Sequence, residues 1–244
     1  MALAASPGIV VQTILVLFLM VVAPVWDVYE IRRLKASADP RKKIRFYTKV
    51  IAASWTCAIL ACLLIGWKAI YRIQFLRGEV SWLAPGTATS IFLKGIIFGA
   101  AIAIMVPAAL ALFSERVREK SKKAAKKMSF LIPSTHEERR RWWLVCLTAG
   151  ICEEVVYRGF LLNYLHTRPF HLTLTWALVV ASVIFGIGHS YQGIAGSIAA
   201  GVLGFVLGVV FLWTGSLLIP IVAHAIVDLR VLAMIPEGFD QAPA

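Results

Sequence analysis

The chain has 244 residues, 59% apolar and 16% charged, with a formal net charge of +12, and its mean hydropathy of +0.79 excludes an ordinary soluble domain. So many cations would point to nucleic acid in a soluble protein, but most of the Lys and Arg falls into two blocks, 32–49 and 116–141, lying between apolar runs. That pattern reads as topogenic, lipid-facing charge and excludes nucleic acid as a partner.

A membrane-spanning helix needs about 20 mostly apolar residues, and such runs are predicted at 8–26, 47–67, 90–113, 142–164, 172–188, 196–213 and 216–234. The fold class expected is therefore all-α, a polytopic transmembrane helix bundle of about seven spans. The first run reads as a retained span and not a secretory signal, since no Lys or Arg precedes it and no A-x-A-like site follows it before Pro24 and Trp26. With the basic blocks in the first and third loops on the cytoplasmic side, the N-terminus lies outside and the C-terminus inside. Between the second and third runs, the stretch 72–85 carries Arg72, Arg77, Glu79 and Trp82 and suits an interfacial segment, leaving room for an eighth, short or re-entrant element.

No linker rich in Gly, Ser or Pro divides the chain, so a single membrane domain is expected. Within it, 1–141 reads as an N-terminal scaffold with basic cytoplasmic loops, 142–236 as the core helices that hold the site, and 237–244 as a short tail. The first three runs are almost free of ionisable groups apart from Lys94, whereas the last four hold Glu153, Glu154, Arg158, His189, His224 and Asp228. Gly196, Ala200, Gly204 and Gly208 recur at helical spacing and predict a smooth face for helix packing. The four cysteines, Cys57, Cys62, Cys146 and Cys152, lie in apolar runs without a C-x-x-C pair and read as small buried hydrophobes. Only Cys152 adjoins the acidic pair.

Of the thirteen acidic residues, Glu153, Glu154 and Asp228 are the ones read as lying well inside apolar spans. A charge at mid-bilayer costs about 2.5 kcal/mol or more, so such groups are paired, protonated or turned to a wet cavity. Glu154 and Arg158 are four apart, with the Glu N-terminal, and are expected to pair on one helix face. Glu153 projects about 100° away from Glu154 and is left free to take a proton. His189 closes the fifth run before the polar Ser190, Tyr191 and Gln192. His224 and Asp228, again four apart, place a carboxylate where it can orient the imidazole or share a site with it.

In order and in helical placement, Glu153-Glu154-x-x-x-Arg158, Phe185-x-x-x-His189 and His224-x-x-x-Asp228 resemble the motifs of the CPBP family (CAAX proteases and bacteriocin-processing enzymes, also called Abi), which includes the type II CAAX prenyl endopeptidases. The resemblance implies a glutamate-dependent intramembrane endopeptidase without metal or cofactor. Its partners would be the bilayer and a peptide or membrane-protein substrate, prenylated for some relatives, and its place a bacterial or archaeal plasma membrane. By the same resemblance Glu153 and His189 activate a water, His224 and Asp228 stabilise the oxyanion, and Glu154 and Arg158 form the orienting pair. The family has Asn or Asp at the position of Asp228, and an ionised Asp cannot donate to an oxyanion. Asp228 is then either protonated or holds His224 in its charged form, so that the imidazolium donates.

Three other readings use the same residues. His189, His224, Glu153 and Asp228 could form a zinc ligand set, although no H-E-x-x-H is present. The polar cluster could instead hold helices together in a non-catalytic scaffold or regulator, acting in bacteriocin immunity or beside a sensor kinase. It could also be a transporter's proton relay, though no paired, interrupted spans occur in two similar halves.

Overall fold

The computed structural model describes residues 7–66, 80–84, 86–167 and 169–238. Each of the seven predicted apolar runs falls on a helix. The first is α1 (Pro7–Leu17), a π-helical turn (Phe18–Val22) and α2 (Ala23–Ala36) in one continuous rod. Its π turn directly precedes Pro24, whose ring would clash with the carbonyl four residues back in a regular α-helix. There follow α3 (Lys42–Ile65), α4 (Ala88–Phe113), α5 (Glu115–Ala125) and α6 (His136–Glu154). A second π segment (Val155–Leu161) continues α6 into α7 (Leu162–His166), after which come α8 (Leu174–Gly188), α9 (Gly193–Thr214) and α10 (Leu218–Met234).

Four helical stretches, Gly8–Ala36, Lys42–Ile65, Ala88–Phe113 and Ser190–Thr214, are long and apolar enough to cross a bilayer. Of the other three predicted spans, α8 has 15 residues and α10 has 17, and the rod from α6 to α7 carries Glu153, Glu154 and Arg158 in its apolar part. Large apolar side chains cover the outside of the bundle, with Leu63 75%, Phe98 71% and Phe92 67% exposed. Such a surface calls for lipid. The predicted interfacial stretch lies outside the described residues over 72–79 and at Pro85. The part of it that is described contains a 3-10 turn, Ser81–Leu83, with the Trp82 indole donating to Thr175 Oγ1 at 2.9 Å. Most of the predicted tail, from 239 on, is also outside them.

The two blocks read as basic loops are partly ordered structure. The second contains α5, and at its end Thr135 and Glu138 close a capping box that starts α6. Lys43 of the first block is buried, its ammonium donating to Ile132 O at 2.8 Å and lying 3.5 Å from Glu138. Arg139 donates to Leu232 O (2.7 Å) and Ile235 O (2.8 Å), satisfying carbonyls at the C-terminus of α10.

Two close helix contacts set the position of the polar residues. Between α8 and α9, a Cβ on Gly204 would stand 3.1 Å from the Phe185 ring, and one on Gly186 would stand 2.7 Å from Ser197 O. The predicted small-residue face thus meets α8 through Gly204 and Gly208, the latter against Leu178, while Gly196 faces its own Gln192. Between α6 and α10, a Cβ on Gly150 would lie 2.9 Å from Ile221 O and 3.1 Å from Ala225 Cβ. Gly150 is one helical turn before Glu154, and Ala225 is next to His224 in sequence. This contact therefore brings two of the motif helices together at backbone distance.

Candidate active site

The centre of the polar cluster is Glu154, 0% exposed at the end of α6. Its Oε1 accepts from Arg158 Nη1 at 2.9 Å and from His224 Nδ1 at 2.8 Å. The expected pair with Arg158 is formed, and the salt bridge keeps Glu154 an acceptor, so His224 carries a proton on Nδ1. The second Arg158 nitrogen, Nη2, donates to Gly204 O at 2.9 Å, and the guanidinium lies 5.0 Å from the Phe185 ring centroid. Arg158 sits in the π segment, a distortion often found at functional sites.

With Nδ1 fixed, His224 Nε2 faces two other carboxylates, Glu153 Oε2 at 3.8 Å and Asp228 Oδ2 at 3.7 Å. Both are ion-pair separations, longer than a hydrogen bond. Of the two arrangements expected for Asp228, orienting this imidazole or sharing a site with it, the separation fits the second. The hydrogen bond that orients the ring comes from Glu154 on another helix, because the i, i+4 spacing carries Asp228 only as far as the opposite nitrogen. Glu153 Oε2 is buried and has no hydrogen-bond partner among the described residues.

His189 follows the last residue of α8, with Nδ1 2.8 Å from Phe185 O. A carbonyl only accepts, so Nδ1 donates, and in the neutral ring Nε2 is the nitrogen that accepts. Phe185, 1% exposed, separates the two imidazoles, with ring centroids 4.5 Å from His189 and 5.9 Å from His224. Tyr157 packs edge-on against the same ring at 4.9 Å.

Glu153 and His189 open onto one cavity of about 260 Å³, whose wall also includes Phe18, Trp26, Asp27, Tyr47, Trp142 and Cys152. Asp27 was absent from the acidic residues placed inside spans by sequence, and this is a correction. The predicted first run stops at Trp26, whereas the helix continues to Ala36 and carries Asp27 into the wall. A signal was available in the sequence: Asp27 follows Pro24 by less than one turn, and a proline can kink a membrane-spanning helix without ending it. Among the described residues, no group of three or more His, Cys, Asp or Glu side chains is placed to hold a metal ion.

No curated protein and no solved structure matches this chain. Residues 137–230 match the family model for Type II CAAX prenyl endopeptidase Rce1-like, a stretch that holds Glu153, Glu154, Arg158, His189, His224 and Asp228. The motif resemblance is thereby borne out at the level of the family, and this chain is an integral, multi-pass membrane protein whose polar cluster lies in a segment similar to the Rce1-like type II CAAX prenyl endopeptidases.

Proposed function

We propose that the chain is a metal-independent intramembrane endopeptidase in which Glu153 and His189 activate a water against a peptide bond. One observation carries this reading: Glu154 is occupied by Arg158 and His224, whereas Glu153, its immediate neighbour, has an oxygen with no hydrogen-bond partner among the described residues and shares a cavity with His189, whose Nδ1 is taken by Phe185 O. Water held between the two loses a proton to Glu153 as its oxygen attacks the scissile carbonyl carbon. The developing oxyanion accepts a hydrogen bond from the Nε2–H of a protonated His224, with Asp228 beside that nitrogen keeping the ring in its charged form. Collapse of the tetrahedral intermediate breaks the C–N bond, and the proton on Glu153 passes to the leaving amine. Glu154 and Arg158 are positioning residues that hold the His224 ring. The substrate is a peptide segment of a membrane-associated protein.

The test compares membranes holding wild-type protein with membranes holding Glu153→Gln, reading new peptide termini by mass spectrometry. Substrate termini are expected only with wild type. On a cleaved peptide, Glu153→Gln and His189→Ala should each lose about two to four powers of ten in rate at unchanged thermal stability, and retention of activity within about threefold would sink the assignment.

A further inference from the structure

Asp27 faces the same cavity as Glu153 and His189. No hydrogen bond or ion pair joins it to another described residue, although two cations lie close in sequence or space. Glu30, one turn further along α2, holds both of these, Lys49 at 2.6 Å and Arg33 at 3.5 Å. Arg158 is committed to Glu154 and Gly204. Among the described residues that line the cavity there is no Lys or Arg; the acidic groups are Asp27 and Glu153, and the basic group is His189. Its remaining wall is mostly aromatic and apolar, with Trp26, Phe46, Tyr47, Trp142, Tyr157 and Tyr191.

Such a chamber disfavours an anion and fits a cation on an apolar stem. Aromatic faces attract ammonium and guanidinium groups and pack along the methylenes that carry them. An unpaired carboxylate in an apolar helix is costly unless it is protonated, turned to water or given a counter-charge, and a substrate cation would supply the last of these. We infer that Asp27 is a substrate-binding carboxylate and that the cavity takes a peptide with a lysine or arginine side chain close to the bond that is cut. The inference rests on the endopeptidase reading above for the word "cut", and on the cavity alone for the cation.

The experiment uses the full chain in liposomes with a series of fluorogenic peptides, identical except for Lys, Arg, norleucine or Glu at the positions flanking the scissile bond. Wild type should favour Lys or Arg over norleucine by about tenfold or more in kcat/KM, as a charge-assisted contact warrants. The ratio should collapse towards one in Asp27→Asn and turn in favour of Glu in Asp27→Lys. A wild-type ratio near one, or a ratio that survives in Asp27→Asn, overturns the inference. Binding of the same peptides to Glu153→Gln protein, followed by fluorescence anisotropy, separates the two readings. Lysine-selective binding without cleavage by wild type would remove the endopeptidase reading and leave the cation site standing, whereas cleavage without selectivity would do the reverse.

Discussion

Replacing Arg158 by Ala should destabilise the bundle through the residue it leaves behind. Arg158 and Glu154 are 3% and 0% exposed, so neither charge can turn to water when the other is removed. The substitution loses hydrogen bonds to Glu154 Oε1 and Gly204 O, both 2.9 Å, each charge-assisted and worth about 1.5–3 kcal/mol. The Glu154 carboxylate keeps only His224, since its Oε2 has no partner among the described residues. Breaking a buried pair in this way costs about 3–5 kcal/mol, which for a chain of this size lowers the unfolding temperature by roughly 6–20 °C. Glu154→Gln keeps an acceptor for His224 Nδ1 but strands the guanidinium, so it should cost a similar amount. The double variant Glu154→Gln/Arg158→Ala removes both charges, and its cost should fall short of the sum by about 0.5–3 kcal/mol. Thermal unfolding of the four proteins in one detergent measures the cycle. Simple additivity, or an Arg158→Ala shift below about 2 °C, would refute the reasoning.

Two further outcomes follow from the geometry. Gly150→Ala gains about 1 kcal/mol of helix propensity but forces a methyl group to within 2.9 Å of Ile221 O; stability should change by no more than about 2 kcal/mol while activity falls more than about tenfold, because the Glu154–His224 contact is displaced. Normal activity in a folded variant would show that the approach of α10 to α6 does not matter for the site. Asp228→Asn should retain some activity, since its amide can donate to the oxyanion, whereas Asp228→Ala should cost up to roughly 3 kcal/mol in transition-state stabilisation. Equal rates for the two in a peptide assay would leave the oxyanion to His224 alone.

Much of the bundle was legible because apolar runs of sufficient length have few structures open to them in a bilayer. Contacts within one helix were legible too: spacing alone paired Glu154 with Arg158, and left Glu153 over. Contacts between helices were not. Nothing in the spacing of His224 and Asp228 discloses that Glu154, 70 positions earlier, reaches His224 Nδ1 first. The π segment Val155–Leu161 was equally hidden, since its sequence, VVYRGFL, departs from a helical pattern by no breaker but one glycine. Asp27 was missed at a boundary, the least certain part of any helix read from sequence.

The cavity draws its wall from two stretches of the chain. The family match begins at residue 137, but Phe18, Trp26, Asp27, Phe46 and Tyr47 on the wall all come before it. The first rod, which carries three of them, is attached to the matched segment by few polar ties, among them Thr13 Oγ1 to Tyr164 Oη at 2.6 Å. On the reading proposed above, chemistry and selectivity would be held on separate stretches of sequence. Substitutions along α2 and α3 would then reshape what the chamber admits while Glu153, His189 and His224 keep their places, so that two chains with identical motifs would differ in substrate without differing in how they cut.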